Sequence, residues 1–254
     1  MTTDPYRDIE IPLPRLRTIS HLWTCAAVLA GIGVATLALD VPLAAWVSQR
    51  SAPGILNKLG GLAEIFGHGL GVVIIVVLIA VLDPWHRYGI PRILAASLGS
   101  GLAANCLKLL VARVRPNHVD FNVVDRGIDT FGGWFPLAGN ASWEQGFPSS
   151  HMATAAGLAI VLAAFYPRGR WLFPACAALA GMQRVLHESH FTSDVLWGAA
   201  VGCIFAPLCV YGSRLSQAFD RLEDYLLARR ERVARARRIR ARTMPAPMGA
   251  KPMA

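Results

Sequence analysis

Long apolar runs separated by polar segments dominate the chain. A helix needs about 20 mostly apolar residues to cross the hydrocarbon core of a bilayer, with a usual range of about 17 to 25. Six segments come close to this length: residues 19–39, 64–82, 93–111, 149–166, 171–186 and 194–211. The pattern therefore predicts an all-α integral membrane protein with six transmembrane helices.

The polar segments divide the chain into three parts. Residues 1–18 form a predicted cytoplasmic N-terminal segment, residues 19–212 the membrane domain, and residues 213–254 a basic cytoplasmic tail. Inside the membrane domain, residues 113–148 form one long polar loop, and loops of this length are often functional or mobile. Four aromatic residues of this loop fit either a lid over a lipid head group or ordinary interfacial anchors: Trp134, Phe135, Trp143 and Phe147.

Composition supports membrane residence, because 54% of the residues are hydrophobic and only 16% are charged, against about 25% charged residues in soluble domains. The net charge of +9 is concentrated in the tail, where from Arg214 onward eleven Lys and Arg face four acidic residues. Most of the excess positive charge therefore lies in the tail and not in the membrane domain, and no nucleic-acid partner is expected. A helical continuation from Arg214 fits two alternatives: a helix lying on an anionic membrane surface, or a solvated charge run that fixes topology.

The positive-inside rule orients the predicted helices, because short loops rich in Lys and Arg remain in the cytoplasm. With the N-terminus inside, the cytoplasmic side receives seven arginines from residues 1–18, 83–92 and 167–170, together with the basic tail. The opposite side receives seven Lys and Arg. Both termini are therefore predicted to lie on the cytoplasmic side of a cytoplasmic (inner) membrane.

The five cysteines lie in apolar stretches, without a CxxC pair or a zinc-type spacing. They are interpreted as small buried residues. The sequence also lacks clustered carboxylates of the kind that bind Mg²⁺ or Ca²⁺, so no metal ion or other cofactor is expected.

Three polar clusters lie at the ends of predicted helices. Ionisable groups in or beside membrane helices are energetically costly, and their presence therefore indicates a function. The first contains Lys108 and Arg115-Pro116. Their seven-residue spacing equals two helical turns and predicts that both cations lie on one helix face. A lysine at this position also fits simple snorkelling to the membrane interface.

The second cluster is Pro148-Ser149-Ser150-His151 at the predicted start of the fourth helix. The first turn of a helix presents unpaired backbone N–H groups and the positive end of the helix dipole, which together favour an anion. Ser149 and Ser150 also fit ordinary N-capping roles.

The third cluster contains Arg184, His190 and Asp194, between the fifth and sixth predicted helices. The four-residue spacing of His190 and Asp194 predicts that the carboxylate holds one imidazole nitrogen, which leaves the other free as a nucleophile or base. Asp194 also fits a helix cap. The predicted topology places all three clusters at one membrane face, opposite the basic tail.

At these residues the chain resembles the type 2 phosphatidic-acid phosphatase superfamily, which includes glucose-6-phosphatase and the vanadium haloperoxidases. The family signature is Lys, six residues, Arg-Pro; then Pro-Ser-Gly-His; then Ser-Arg, five residues, His, three residues, Asp. The order and internal spacing agree throughout. Two positions differ from the signature, because Ser150 stands where the family has Gly and Gln183 where it usually has Ser.

The resemblance implies phosphoryl transfer through a phosphohistidine intermediate without a metal ion. It assigns His190 as the nucleophile, Asp194 as the residue that orients it, and His151 as the acid that protonates the leaving alcohol. It also implies a set of groups that bind the phosphate oxygens: Lys108, Arg115, Ser149, Ser150 and Arg184.

The resulting prediction is a membrane phosphatase acting on a lipid phosphomonoester or lipid pyrophosphate, with its active site on the periplasmic or extracellular face. Candidate substrates are undecaprenyl pyrophosphate, phosphatidylglycerophosphate, phosphatidic acid and lipid A phosphate. Two alternatives remain open. The first is a phosphotransferase that passes phosphate or a phosphorylated head group to an alcohol, and the second is a non-catalytic anion transporter or scaffold.

Overall fold

A computed structural model describes residues 17–50, 54–137 and 141–243 of the chain. Residues 1–16 of the predicted N-terminal segment and residues 244–254 of the tail lie outside this description. Eight α-helices occur in the described part. They are α1 (Arg17–Ser48), α2 (Gly54–Gly67), α3 (Gly69–Leu82), α4 (Ile90–Lys108), α5 (Ser150–Phe165), α6 (Leu172–Leu186), α7 (Thr192–Val210) and α8 (Arg214–Thr243).

The centre of the bundle is formed by α4, α5 and α7, with α1 packed against α7 and α2 against α6. Small residues allow this close approach. A Cβ atom on Gly198 of α7 would lie 2.3 Å from the Ser149 carbonyl oxygen, and one on Gly202 would lie 2.6 Å from Cβ of Ala156. The Gly198/Gly202 pair therefore lets α7 pack directly on α5, as small residues at this spacing do in membrane helices.

Three of the described helices are long and apolar enough to cross a bilayer: Thr18–Ser48 within α1, His86–Lys108, which includes α4, and Thr192–Val210, which is α7. A fourth span results if the bent pair Lys58–Gly67 and Gly69–Leu82 is counted as one. The apolar helices α5 and α6 are shorter. The helical membrane architecture agrees with the sequence, whereas the number of six spans stays a prediction.

The second predicted span, residues 64–82, is broken in the structure. The helices α2 and α3 meet at an angle of 76° at His68, which is flanked by Gly67 and Gly69. Glycine is a poor residue for a helix interior, and the His68 Nδ1 atom accepts a hydrogen bond from Leu70 N at 3.2 Å, which caps the new helix. The apolar periodicity continued through this point and therefore concealed the break.

A short two-stranded sheet connects the end of α4 with the long loop, which the sequence prediction did not include, in a chain that is otherwise mostly helical. Val111–Arg113 (β1) pairs antiparallel with Phe131–Trp134 (β2), with Val111 opposite Trp134 and Arg113 opposite Phe131. Short 3₁₀ turns occupy much of the remaining loop. The strands are too short for an alternating sequence pattern to show, so sequence periodicity did not reveal them.

The tail is helical from Arg214 to Thr243, which agrees with the helical continuation predicted from Arg214. Buried Arg92, at the start of α4, donates to Glu223 Oε1 at 2.7 Å and to Asp220 Oδ1 at 2.5 Å. These ion pairs attach α8 to the end of α4 opposite Lys108. With a rise of about 1.5 Å per residue, the 19 residues of α4 separate these two ends by about the thickness of a bilayer core.

Candidate active site

His190 lies in the tight turn between α6 and α7. The backbone N–H groups of Ser189 and His190 both donate to the Arg184 carbonyl oxygen, at 3.1 and 3.3 Å. The ring Nδ1 of His190 lies 2.7 Å from the Gly146 carbonyl oxygen. Because a carbonyl oxygen only accepts hydrogen bonds, Nδ1 carries the proton and Nε2 carries the lone pair. The buried ring is therefore held in the tautomer that a nucleophile at Nε2 requires.

Asp194 does not form the hydrogen bond to His190 that the sequence predicted. Its Oδ2 atom is 3.9 Å from His190 Nδ1 and instead accepts a hydrogen bond from the backbone N–H of Phe191 at 2.8 Å. His190 precedes α7, so the spacing of four residues does not correspond to a helical turn. Asp194 caps α7 and lies near the imidazole, while the Gly146 carbonyl fixes the tautomer.

Arg113 is a buried residue of this site that the sequence prediction missed. Its guanidinium is fully buried and donates to Asp194 Oδ1 at 2.5 Å and to Asp40 Oδ2 at 2.7 Å. The rings of Phe131 and Phe191 each lie 4.4 Å from its central carbon. A charged residue in so closed a setting is stable only when it is paired, and here one arginine forms ion pairs with two buried carboxylates.

Further hydrogen bonds complete the surroundings of Arg113. The guanidinium also donates to Thr130 Oγ1 at 2.9 Å and to Ser193 Oγ at 2.7 Å, and the Ser193 backbone N–H donates to Asp40 Oδ1 at 3.1 Å. The Arg113 carbonyl oxygen accepts from the Gly146 N–H at 2.8 Å. Arg113 therefore contacts Asp194 with its side chain and, with its backbone, the N–H of Gly146, the residue whose carbonyl oxygen holds His190.

Lys108 and Arg115 both approach the site, although not by the predicted route. The helix α4 ends at Lys108, and the chain then passes through β1, so the two cations do not share a helix face. Lys108 Nζ donates to the Gln145 carbonyl oxygen at 2.6 Å, and the Arg115 N–H donates to the Trp143 carbonyl oxygen at 2.9 Å. Both are held by the segment that also carries Gly146.

The start of α5 has the predicted N-terminal geometry. Ser149 is the N-cap, fully buried, with its hydroxyl accepting from Met152 N at 3.4 Å. Its own N–H donates to the Asp194 carbonyl oxygen at 3.0 Å, which joins the starts of α5 and α7. Ser150 and His151 form the first turn of α5. The capping role of Ser149 is confirmed, and phosphate contacts by these residues stay predictions.

Arg184 pairs with a carboxylate that the sequence prediction did not include. Its Nη1 atom is 3.1 Å from Glu64 Oε1 on α2, and the neighbouring Gln183 donates through Nε2 to Glu64 Oε2 at 3.2 Å. Gln183 is buried and packs beside Gly60 of α2. Glutamine, in place of the small serine of the signature, thus reaches α2 and helps to hold Glu64 against Arg184.

Buried donors without partners mark the centre of the cluster. Among the described residues, Arg115 Nε and Arg184 Nε are buried and have no hydrogen-bond partner. Unsatisfied buried donors of this kind are costly and uncommon in folded proteins. Two guanidinium groups with free N–H donors, close to the positive end of α5, form a site that matches the oxygens of a phosphate.

The pKa of His190 reflects the same convergence. Burial lowers this pKa well below the ordinary value of 6.5, and the positive charges of Lys108, Arg184 and Arg115 lower it further. The imidazole therefore stays neutral under mildly acidic conditions. The predicted site residues are thus brought together, with Arg113, Asp40 and Glu64 added by the structure.

This lowered pKa predicts the pH dependence of activity. The acid limb of kcat/KM reports the pKa of an essential base of the free enzyme. We therefore expect kcat/KM to persist as the pH falls through 6.5, the ordinary histidine value. The profile is to be measured with a phosphate ester whose own second ionisation has been determined by phosphorus NMR. An enzymatic acid limb at or above pH 6.5 would contradict the neutral-nucleophile assignment.

One signal in the sequence pointed to two of the three missed residues. Asp40 and Glu64 lie at the ends of apolar runs, where carboxylates are rare and often functional.

Among the aromatic residues of the long loop, Trp134 and Phe135 are exposed, whereas Phe147 packs its ring 5.7 Å from Trp197. The lid hypothesis therefore remains only for the exposed aromatic residues.

Comparison with known proteins places these residues in a family. The model of the PAP2 superfamily matches residues 91–217, half of the chain. The chain belongs to the PAP2 superfamily. The matched region contains every site residue predicted from the sequence, whereas Asp40 and Glu64 lie outside it. The resemblance inferred from the three polar clusters is confirmed.

Relatives within the PAP2 superfamily include two proteins named lipid A 1-phosphatase. The chain is 39% identical over 109 residues to the protein of Rhizobium johnstonii and 40% identical over 109 residues to that of Rhizobium etli. The alignments cover 43% of this chain, and 41% and 44% of those proteins. The chain thus matches less than half the length of these relatives.

A solved structure has the same fold. It is a transmembrane PAP2-type phosphatidylglycerolphosphate phosphatase from Bacillus subtilis, with 19% sequence identity and a TM-score of 0.50. The match covers 76% of this chain and 94% of that protein. At this identity the likeness concerns the fold, and it supports a PAP2 helical arrangement in a membrane protein.

Proposed function

We propose that this PAP2 protein is a membrane phosphatase that hydrolyses a lipid phosphate, with lipid A 1-phosphate as the first substrate to test. The observation that carries the proposal is the buried His190 ring, whose Nδ1 is held by the Gly146 carbonyl oxygen close to the positive charges of Lys108, Arg115 and Arg184. A pocket that only bound anions would not need a buried imidazole of fixed tautomer. The names of the two Rhizobium relatives support the choice of lipid.

In the first step His190 Nε2 attacks phosphorus, and the N–P bond forms while the bond from phosphorus to the lipid oxygen breaks. His151 gives a proton to that oxygen, which leaves as the lipid alcohol. The negative charge of the phosphate favours the protonated form of His151 before this transfer. Asp194, near Nδ1, stabilises the positive charge that develops on the imidazole.

In the second step a water molecule attacks the phosphohistidine. His151, now neutral, accepts a proton from the water while the N–P bond breaks and inorganic phosphate is released. Lys108, Arg115 and Arg184 stabilise the charge on the equatorial oxygens in both steps, which is the main catalytic contribution expected in phosphoryl transfer. Ser149 and the Ser150 N–H are proposed to add hydrogen bonds to the same oxygens.

The proposed location is the periplasmic or extracellular face of a cytoplasmic membrane. The site lies near Lys108 at one end of α4, while Arg92 and the basic helix α8 lie at the other. Because positive loops remain in the cytoplasm, this separation favours an outward-facing site. The bilayer and its lipid phosphate are the proposed partners.

The decisive assay measures phosphate release by the purified full-length protein with EDTA present. The substrates are lipid A, phosphatidylglycerophosphate, phosphatidic acid and undecaprenyl pyrophosphate, in water enriched in oxygen-18. We expect EDTA to leave activity intact, because three cationic side chains supply the charge that a metal ion supplies elsewhere. We also expect one solvent oxygen in each phosphate released.

Each alternative gives a different product. Label appearing only on an added lipid or sugar alcohol would identify a phosphotransferase and contradict hydrolysis. Complete loss of activity in EDTA would contradict metal independence. Tight phosphate binding without turnover of any donor would favour the anion-binding alternative.

A further inference from the structure

The break between α2 and α3 brings a second histidine next to the site. Gly67 packs so closely on α5 that a Cβ atom there would lie 2.7 Å from the His151 carbonyl oxygen. The next residue, His68, has its ring centroid 5.7 Å from that of His151. The bend therefore positions His68 beside the residue that protonates the leaving alcohol in the proposed mechanism.

A cleft of about 360 Å³ opens at this position, between the break, α4 and the first turns of α5. Its volume falls within the range of about 300–1,000 Å³ typical of small-molecule sites. Polar side chains of His68, Asn105 and Thr154 line it together with His151, and Leu102 lies on its apolar side. The cleft is thus a mixed polar and apolar surface that continues outward from His151.

The donor groups of His68 and Asn105 are available to a ligand. The His68 Nδ1 atom accepts the Leu70 N–H, so the neutral ring carries its proton on Nε2 as a donor. The Asn105 side chain is exposed and has no hydrogen-bond partner within the described part of the chain. Leu70 and Leu102, beside them, are 63% and 64% exposed. Polar groups on such an apolar surface are costly in a membrane protein and indicate binding.

The chemistry of the neighbouring step defines the ligand. His151 protonates the oxygen that leaves phosphorus, so the group attached to that oxygen lies on the His151 side of the pocket. A cleft on that side with imidazole, amide and hydroxyl groups matches a leaving group rich in hydroxyls. The exposed leucines match the acyl chains that such a lipid also carries.

We propose that the cleft between the α2–α3 break and α4 binds the leaving alcohol, and that His68 and Asn105 select a hydroxyl-rich sugar head group. This inference rests on the proposed phosphatase function and names its substrate class. A lipid whose phosphate is attached to a sugar places the hydroxyl, amide and ring oxygen groups of that sugar in the cleft. A phosphatidic acid brings no hydroxyl group there.

The experiment compares kcat/KM of the full-length protein for three substrates: lipid A, phosphatidic acid and para-nitrophenyl phosphate. The variants are Asn105→Leu, which lies outside any helix cap, and His68→Asn, which keeps a capping acceptor for α3. The matched control is His21→Leu, an exposed histidine of α1. Each variant replaces one polar group and leaves the phosphate-binding cations in place.

We expect each cleft variant to lower the ratio of kcat/KM for lipid A to that for para-nitrophenyl phosphate about tenfold, as loss of one good hydrogen bond does. The ratio for phosphatidic acid to para-nitrophenyl phosphate is expected to stay within about twofold. The His21→Leu control should keep both ratios. This pattern separates selection of the sugar from a general effect on folding or chemistry.

The outcomes that overturn the inference are distinct from failure of the proposed function. Unchanged ratios in both cleft variants, or parallel losses with all three substrates, would overturn the sugar subsite while hydrolysis by the wild type stands. Wild-type turnover of phosphatidic acid without turnover of lipid A would do the same. Absence of turnover of every substrate would overturn the phosphatase function and the subsite with it.

Discussion

Replacing His190 by alanine is expected to lower kcat by about 10⁴-fold or more, which is the scale of losses when a catalytic nucleophile is removed. No other described imidazole has both the fixed tautomer and the three neighbouring cations of His190. His151 lies on the leaving-group side in the proposed mechanism and does not replace it. The measurement is phosphate release from lipid A and from para-nitrophenyl phosphate in detergent.

A companion measurement tests the covalent intermediate directly. Substrate with phosphorus-32 in its phosphate, quenched in alkali during turnover, should leave label on wild-type protein and none on His190→Ala. The control is His118→Ala, an exposed histidine whose ring lies 5.9 Å from Trp143, and it should retain wild-type turnover and label. Activity in His190→Ala within tenfold of wild type would contradict the nucleophile assignment.

The sequence alone was enough to propose the site residues, because several of them lie where an apolar run ends. Charges at such positions are costly, so Lys108, Arg184 and Asp194 were visible without a structure. The topology of the runs then placed them on one face. The same reasoning identified the start of α5 at Ser149, where a capping residue precedes an apolar helix.

The errors arose where helical spacing was assumed beyond the end of a helix. Lys108 and Arg115 were assigned to one face, but α4 ends at Lys108 and β1 follows. His190 and Asp194 were paired for the same reason, although His190 lies in a turn. Spacing in sequence fixes distance in space only inside a regular element, and the element boundaries are the least certain part of a prediction.

The partners that the sequence left out are distant along the chain. Asp40 is 73 residues from Arg113, and Glu64 is 120 residues from Arg184. Their pairing depends on how α1 and α2 pack on the rest of the bundle, which local pattern does not determine. The family match begins at residue 91 and therefore gave no signal for either carboxylate.

Substitution of Arg113 by methionine is expected to lower the free energy of unfolding by about 3–5 kcal/mol, the usual loss when one partner of a buried ion pair is removed. The change leaves Asp40 and Asp194 buried without their cation, and both are at most 1% exposed. Unfolding in mixed detergent micelles measures the effect. The matched control is Arg126→Met, in the same loop, whose pair with Asp129 is exposed and contributes about 0–1 kcal/mol.

Arg113→Lys separates a positioning role from stability alone. Lysine keeps the charge but lacks the planar fork that contacts Asp40 and Asp194 together. We expect kcat to fall about 100-fold through misplacement of His190, while KM changes little, because none of the hydrogen bonds of the Arg113 side chain reaches Lys108, Arg115 or Arg184, the cations proposed to bind phosphate. Loss confined to KM, or a kcat within twofold of wild type in a folded variant, would contradict this role. A fall in kcat alone would mean that Arg113, a buried arginine which the sequence prediction did not name and which pairs with Asp40 of α1, holds the nucleophile in its reactive geometry.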